Sequence, residues 1–180
     1  MTLMYSLSVQ SFIPMLEDLT AILDKAVQHA RGASVDPSKL VNGKLAPDMY
    51  PLANQVLIAC DHAGQGAAKL IGKERLRPQD EERNLDDLIR LICDTLDYLR
   101  TLKPGDFAGA ENRVIKVPLM HDDVLKLTGV EFLKDWALPN FYFHVVTAYG
   151  ILRHHAVEIG KRDYLARIGR LMQAQLGGKG

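Results

Sequence analysis

Six histidines, at positions 29, 62, 121, 144, 154 and 155, are the side chains in this sequence best equipped for chemistry. Imidazole ligates metals, and its charge changes near neutral pH. Their spacing limits what they can do together. His154 and His155 are adjacent, so on a helix they point in different directions. His144 and His155 are eleven residues apart, which is about 16 Å of helical rise and too far for one ion. No HxxxH or HExxH pattern occurs, and His62 and His121 belong to other elements. His29 falls at a helix end, where a solvated or dipole-favoured histidine is the simpler reading.

His144 is different because of its surroundings. Asn140, His144 and Thr147 recur at spacings of four and three, amid Phe141, Tyr142, Phe143, Val145 and Val146. On a helix these three share a face. A polar stripe among aromatic and apolar neighbours costs stability unless its groups are paired. Either the stripe is a satisfied buried set, or it lines a ligand or catalytic pocket. Gln55, between Leu52, Val56 and Ile58, is a second core-facing polar candidate. Asp61, six residues on, points elsewhere, with Lys69 as a surface partner.

These residues need elements to position them. Phe12, Met15, Leu16, Leu19, Ile22, Leu23, Ala26 and Val27 recur at helical spacing, which predicts an amphipathic helix over about 8–30, regular from Ser11 and closed by Gly32. Asp36-Pro37-Ser38 starts one helical turn. Asp48 then reads as the N-cap of a second helix ending near Gly72, with Gly64 and Gly66 permitting close approach of a neighbour. Residues 73–83 form a charged connection. Asn84 caps a third helix with Asp87 at its third position, and Pro104-Gly105 ends it. Arg113–Pro118 and Val124–Thr128 are short and β-branched, and His121-Asp122-Asp123 lies between them, which predicts a small β-hairpin that must pack on the helices. A last long helix runs over 130–159, broken or kinked at Pro139, with Leu138 pushed out of helical geometry and Gly160 as the stop. A further short helix follows, and 170–180 should fray. The expected fold is therefore mainly all-α: one domain over 1–180, a four-helix bundle with long connections and a hairpin before the last long helix.

Composition narrows the function classes. Lys plus Arg total 22 and Asp plus Glu total 22, so net charge is zero. That removes the electrostatic case for nucleic-acid binding. No run of apolar residues is long enough for a membrane span, and 1–10 carries no Lys or Arg and no long apolar run, so it does not read as a signal peptide. Cys60 and Cys93 lie in apolar periodic stretches and read as two buried, reduced thiols. The expected compartment is the cytoplasm.

Three segments resemble a known family. They are Leu45-Ala46-Pro47-Asp48-Met49-Tyr50-Pro51-Leu52 with Gln55-Val56, the run Leu138 to Arg153 (LPNFYFHVVTAYGILR), and Gly160-Lys161-Arg162-Asp163-Tyr164-Leu165. Together they resemble the uncharacterised bacterial family labelled domain of unknown function nineteen-ninety-three, within the DinB/YfiT-like superfamily of four-helix bundles described as metal-dependent enzymes. The resemblance implies a metal site, for zinc or nickel, built from one histidine on the second helix and an HxxxH pair on the last. Gln55 stands at the second-helix position, His144 matches the first of the pair, and Ala148 stands where the second would be. Only His144 of that triad is retained. Alanine has no donor, and an amide is a poor ligand for such metals. Asp48 and Tyr149 are the residues that could substitute.

Three functions stay open on this reading. The first is a small polar molecule bound without metal, on a floor of Gln55, Asn140 and His144 walled by Tyr142, Phe143, Tyr149 and Trp136. The second is a metal-dependent or His144-based transferase or hydrolase, with Asn140 or Asp48 orienting the ring. The third is a structural homodimer with no ligand, its seam at residues 1–5 or on the last helix.

Overall fold

The apolar stripe of Phe12, Leu16, Leu19, Leu23 and Ala26 is wholly buried on helix α2 (Val9–Gly32), which follows a short α1 (Leu3–Leu7). The computed structural model describes residues 2–33, 35–75, 83–119 and 123–176. Helix α2 begins earlier than the expected Ser11, because the Ser8 carbonyl accepts the N–H groups of Ser11 and Phe12 at 3.0 and 2.9 Å. Pro14 therefore lies inside the helix, not before it.

Helix α3 (Pro37–Val41) starts on Asp36, whose carboxylate accepts the Ser38 N–H at 2.9 Å. Helix α4 (Leu52–Leu70) starts at Pro51 with no side-chain cap. Asp48 is thus not the N-cap that its residue type predicts; it is an exposed residue of the preceding turn. Asn84 and Asp87 cap α5 (Leu85–Thr101) reciprocally, each side chain accepting the other's backbone N–H at 3.0 Å. Two short 3-10 turns, Pro104–Phe107 and Ala110–Asn112, lead to the hairpin.

Strands β1 (Ile115–Pro118) and β2 (Val124–Leu127) pair antiparallel, Ile115 opposite Leu127 and Pro118 opposite Val124. Ile115 and Val117 are buried and Lys116 is exposed, the alternation of a strand lying on a core. His121 and Asp122, read from sequence as part of the turn, lie outside the described residues, as do 76–82 of the charged connection and Gly177–Gly180.

Thr128 and Glu131 cap the short α6 (Gly129–Glu131). A Cβ at Gly129 would run into the Ala110 carbonyl, so only glycine lets these two backbones meet here. The chain then makes a π-helical turn, Phe132–Ala137, and passes directly into α7 (Leu138–His154). Leu138 has φ −65° and ψ −46°, so it is helical, contrary to the expectation for a residue before proline. The π turn explains this. The Leu138 N–H donates to the Leu133 carbonyl, five residues back. That widened register relieves the clash between a proline ring and the carbonyl four residues before it.

Helix α7 ends at His154, short of the expected 159. Ala156, at φ 61°, turns the chain in left-handed geometry. Its N–H donates to the Arg153 carbonyl at 3.0 Å, and the Val157 N–H donates to Leu152 at 3.0 Å. This is a Schellman stop made with alanine where glycine is usual. Helix α8 (Lys161–Tyr164) and α9 (Ala166–Leu176) are the last described elements. Helix α9 runs to Leu176, into the stretch where fraying is expected from 170.

The four long helices form a ring in which α2 packs on α5, α5 on α4, α4 on α7 and α7 on α2, the α4–α7 contact being the most extensive. Those two helices are antiparallel: Gln55 of α4 meets His144 of α7, while a Cβ on Gly66 would lie 3.5 Å from the Ala137 Cβ. Gly64, by contrast, makes room for the Arg75 guanidinium rather than for a helix. Each fully buried leucine in this core contributes about 1.5–3 kcal/mol by leaving water.

Candidate functional site

Gln55 is 1% exposed and His144 8%. They sit on facing sides of the α4–α7 seam, and the His144 Nδ1 lies 2.7 Å from the Gln55 Oε1. The other end of the Gln55 amide, Nε2, donates to the Tyr50 carbonyl at 3.0 Å. That second bond fixes the orientation of the amide, since only its nitrogen can donate to a carbonyl. Its oxygen therefore faces the ring, and His144 Nδ1 must be the protonated nitrogen. In the neutral imidazole, Nε2 then carries the lone pair. Burial pushes the His144 pKa below the usual histidine value, which favours that neutral form.

Two rings flank this imidazole. His62, seven residues after Gln55 and so on the same face of α4, stacks on His144 with ring centroids 6.0 Å apart and planes 12° from parallel. Phe143, more than half exposed, meets it edge-to-face at 5.2 Å. Histidine spacing alone leaves His62 out, because it lies on another element. The sequence signal that does include it is its seven-residue spacing from Gln55.

The remaining candidates go elsewhere. Asn140 donates its amide to the Trp136 carbonyl at 2.7 Å, which satisfies a carbonyl of the π turn. Thr147 likewise bonds back to the Phe143 carbonyl at 2.7 Å. Tyr142 and Tyr149 are seven residues apart and share a different face of α7. Tyr142 packs on Phe141 and hydrogen-bonds Ser11 of α2. Tyr149 meets Tyr164 of α8 with ring centroids 6.2 Å apart. Burial raises the pKa of Tyr142, against the lowering bond from Ser11, and also raises that of Tyr164. These tyrosines join α7 to α2 and α8; they do not wall the Gln55–His144 pair. Asp48 is exposed, and its loop reaches the pair through the Tyr50 carbonyl.

The donor set does not fit a three-ligand transition-metal centre. Gln55 spends its oxygen on His144 Nδ1, Ala148 is buried and has no donor, and His62 is the other ring beside His144. Among the described residues no three His, Cys, Asp or Glu side chains gather in ligating range. What remains is a histidine held in one tautomer by a second side chain, an arrangement that can accept a proton or a hydrogen bond at Nε2.

A helical ring carrying a hairpin before its last long helix is the DinB-like class of bundle. The solved structure of a DinB family member from Shewanella denitrificans is 44% identical, covers 89% of this chain and 90% of its own, and superposes with a TM-score of 0.81. Residues 4–165 match the family described as domain of unknown function DUF1993, and the chain belongs to that family. No curated protein matches it. Among the described residues no helix is long and apolar enough to cross a membrane.

Proposed function

We propose that this chain binds a small polar molecule at the α4–α7 seam, with His144 Nε2 accepting a hydrogen bond from it and no metal between them. The observation that carries this reading is the chain of bonds from His144 Nδ1 to Gln55 to the Tyr50 carbonyl, at 2.7 and 3.0 Å. It leaves one lone pair, on one nitrogen, at the edge of a buried ring. The ligand class follows: a molecule presenting an N–H or O–H donor and a flat or apolar body to lie along Phe143. A thermal-shift screen of small metabolites tests it. Binders should raise the melting temperature of the wild type and lose that effect in His144→Ala. A hit whose effect is unchanged in His144→Ala contradicts the assignment.

The same open lone pair on a neutral imidazole supports a second reading, in which His144 is the general base of a transferase or hydrolase. Under that reading His144→Gln keeps binding and loses turnover. For compartment we propose the cytoplasm, because Cys60 and Cys93 are both free thiols and Cys93, contrary to the expectation that both are buried, is exposed on the outer side of α5. The buried Cys60 thiol is pushed up to about 12, chiefly by desolvation, so it is inert at neutral pH.

A further inference from the structure

Helix α9 is turned the wrong way round for a helix on a bundle surface. Its basic side faces the protein. The Arg167 N–H and the Arg170 guanidinium both donate to the Asp18 carboxylate, at 3.2 and 3.1 Å, and Arg167 Nη1 reaches the Gln10 carbonyl at 3.2 Å. Asp18 is only 3% exposed. The apolar side faces outward: Ile168, Leu171, Met172 and Leu176 are all about half exposed or more. A groove of about 830 Å³ runs along this side, lined by Lys161, Arg162, Leu165, Ile168, Arg170 and Met172 among others.

We propose that this face pairs with itself in a second copy of the chain, two α9 helices crossing antiparallel at Gly169 about a twofold axis. Three observations favour a second copy. Leu165, Ile168 and Met172 follow the three-then-four spacing of a helix–helix seam. Gly169 lies at the centre of that seam with nothing within 4 Å of where its Cβ would be, which leaves room for another backbone. Arg170 borders the groove as well, with its guanidinium held on the Asp18 carboxylate at 3.1 Å. An antiparallel crossing also brings the C-terminal end of one α9, with its partial negative charge, toward Lys161 and Arg162 of the other copy. The seam also answers a local problem, since an eleven-residue helix is marginal in water without a partner for its apolar face.

Sedimentation equilibrium of the full chain from 1 to 200 µM tests this. The wild type should be a reversible dimer, and Ile168→Glu/Met172→Glu should weaken it at least a hundredfold without changing the circular dichroism of the bundle. Gly169→Ala should weaken it about tenfold although alanine is the better helix former. A wild type that stays monomeric at 200 µM overturns the proposal, as does a dimer that both variants leave intact. Monomeric wild type that co-sediments with phosphatidylserine vesicles would assign the face to lipid instead and equally overturn it.

Discussion

The α4–α7 seam and the α9 tail each invert the ordinary rule of burial, in opposite senses. At the seam, two polar side chains lie inside. At the tail, a row of apolar side chains lies outside. The seam's polar groups are paired with each other and with a backbone carbonyl, so their burial is tolerated and their orientation is fixed. The tail's apolar groups have no cover within the described chain, while its arginines hold it by a buried carboxylate. The contrast separates two kinds of function. A paired polar group inside a core sets the chemistry of one atom. An uncovered apolar face outside one sets association.

The largest test of that contrast is Gln55→Leu. It leaves the His144 Nδ1–H buried without an acceptor, and should cost about 2–3 kcal/mol in urea unfolding. The double variant Gln55→Leu/His144→Leu should recover part of that loss, because neither partner is then left alone. Asp18→Ala probes the other region. Losing two charge-assisted bonds, one to a half-exposed arginine, should cost about 1 kcal/mol. Its signature should be local: faster amide exchange over 166–176, with α4 and α7 unchanged. Ala156→Gly sharpens the comparison as a control outside both regions. Relief of a left-handed alanine should raise stability by about 0.5–1 kcal/mol, and both the His144 ring and the tail should be untouched.

The smallest effect is on pH dependence. The folded His144 pKa lies below its ordinary 6.5 because of burial. Between that lowered value and 6.5 the unfolded chain binds more protons than the folded one. Stability is therefore intact above about pH 6.5 and falls as pH drops through that window. His155, also lowered by burial and by its neighbour His154, adds to the same slope. Melting temperatures from pH 7.5 to 5 should fall more steeply in His155→Gln than in His155→Gln/His144→Gln. Equal slopes would remove His144 from the account.

Much of this fold was legible in local patterns. The buried stripe of α2, the Asn84–Asp87 caps and the hairpin all follow from spacing and residue type. What escaped was set by contacts distant in sequence or by register. Pro139 does not break the last helix, because a π turn absorbs it. Asp18 is buried against α9, about 150 residues away in sequence. At the site, periodicity put Asn140 and His144 on one face correctly, but could not show that Asn140 bonds back to Trp136. Tyr142 and Tyr149 lie close to His144 in sequence, but the helical period turns them toward α2 and α8. His62 was within reach of the same period, applied to α4 instead of α7.

The central claim is the state of one imidazole. Long-range proton–nitrogen correlation spectra of nitrogen-15-labelled protein at pH 7 read it directly. The account predicts that His144 is neutral, with a proton on Nδ1 and an unprotonated Nε2. In Gln55→Leu that fixed tautomer should give way to a mixture. A wild-type His144 protonated on Nε2, or doubly protonated at pH 7, would contradict it.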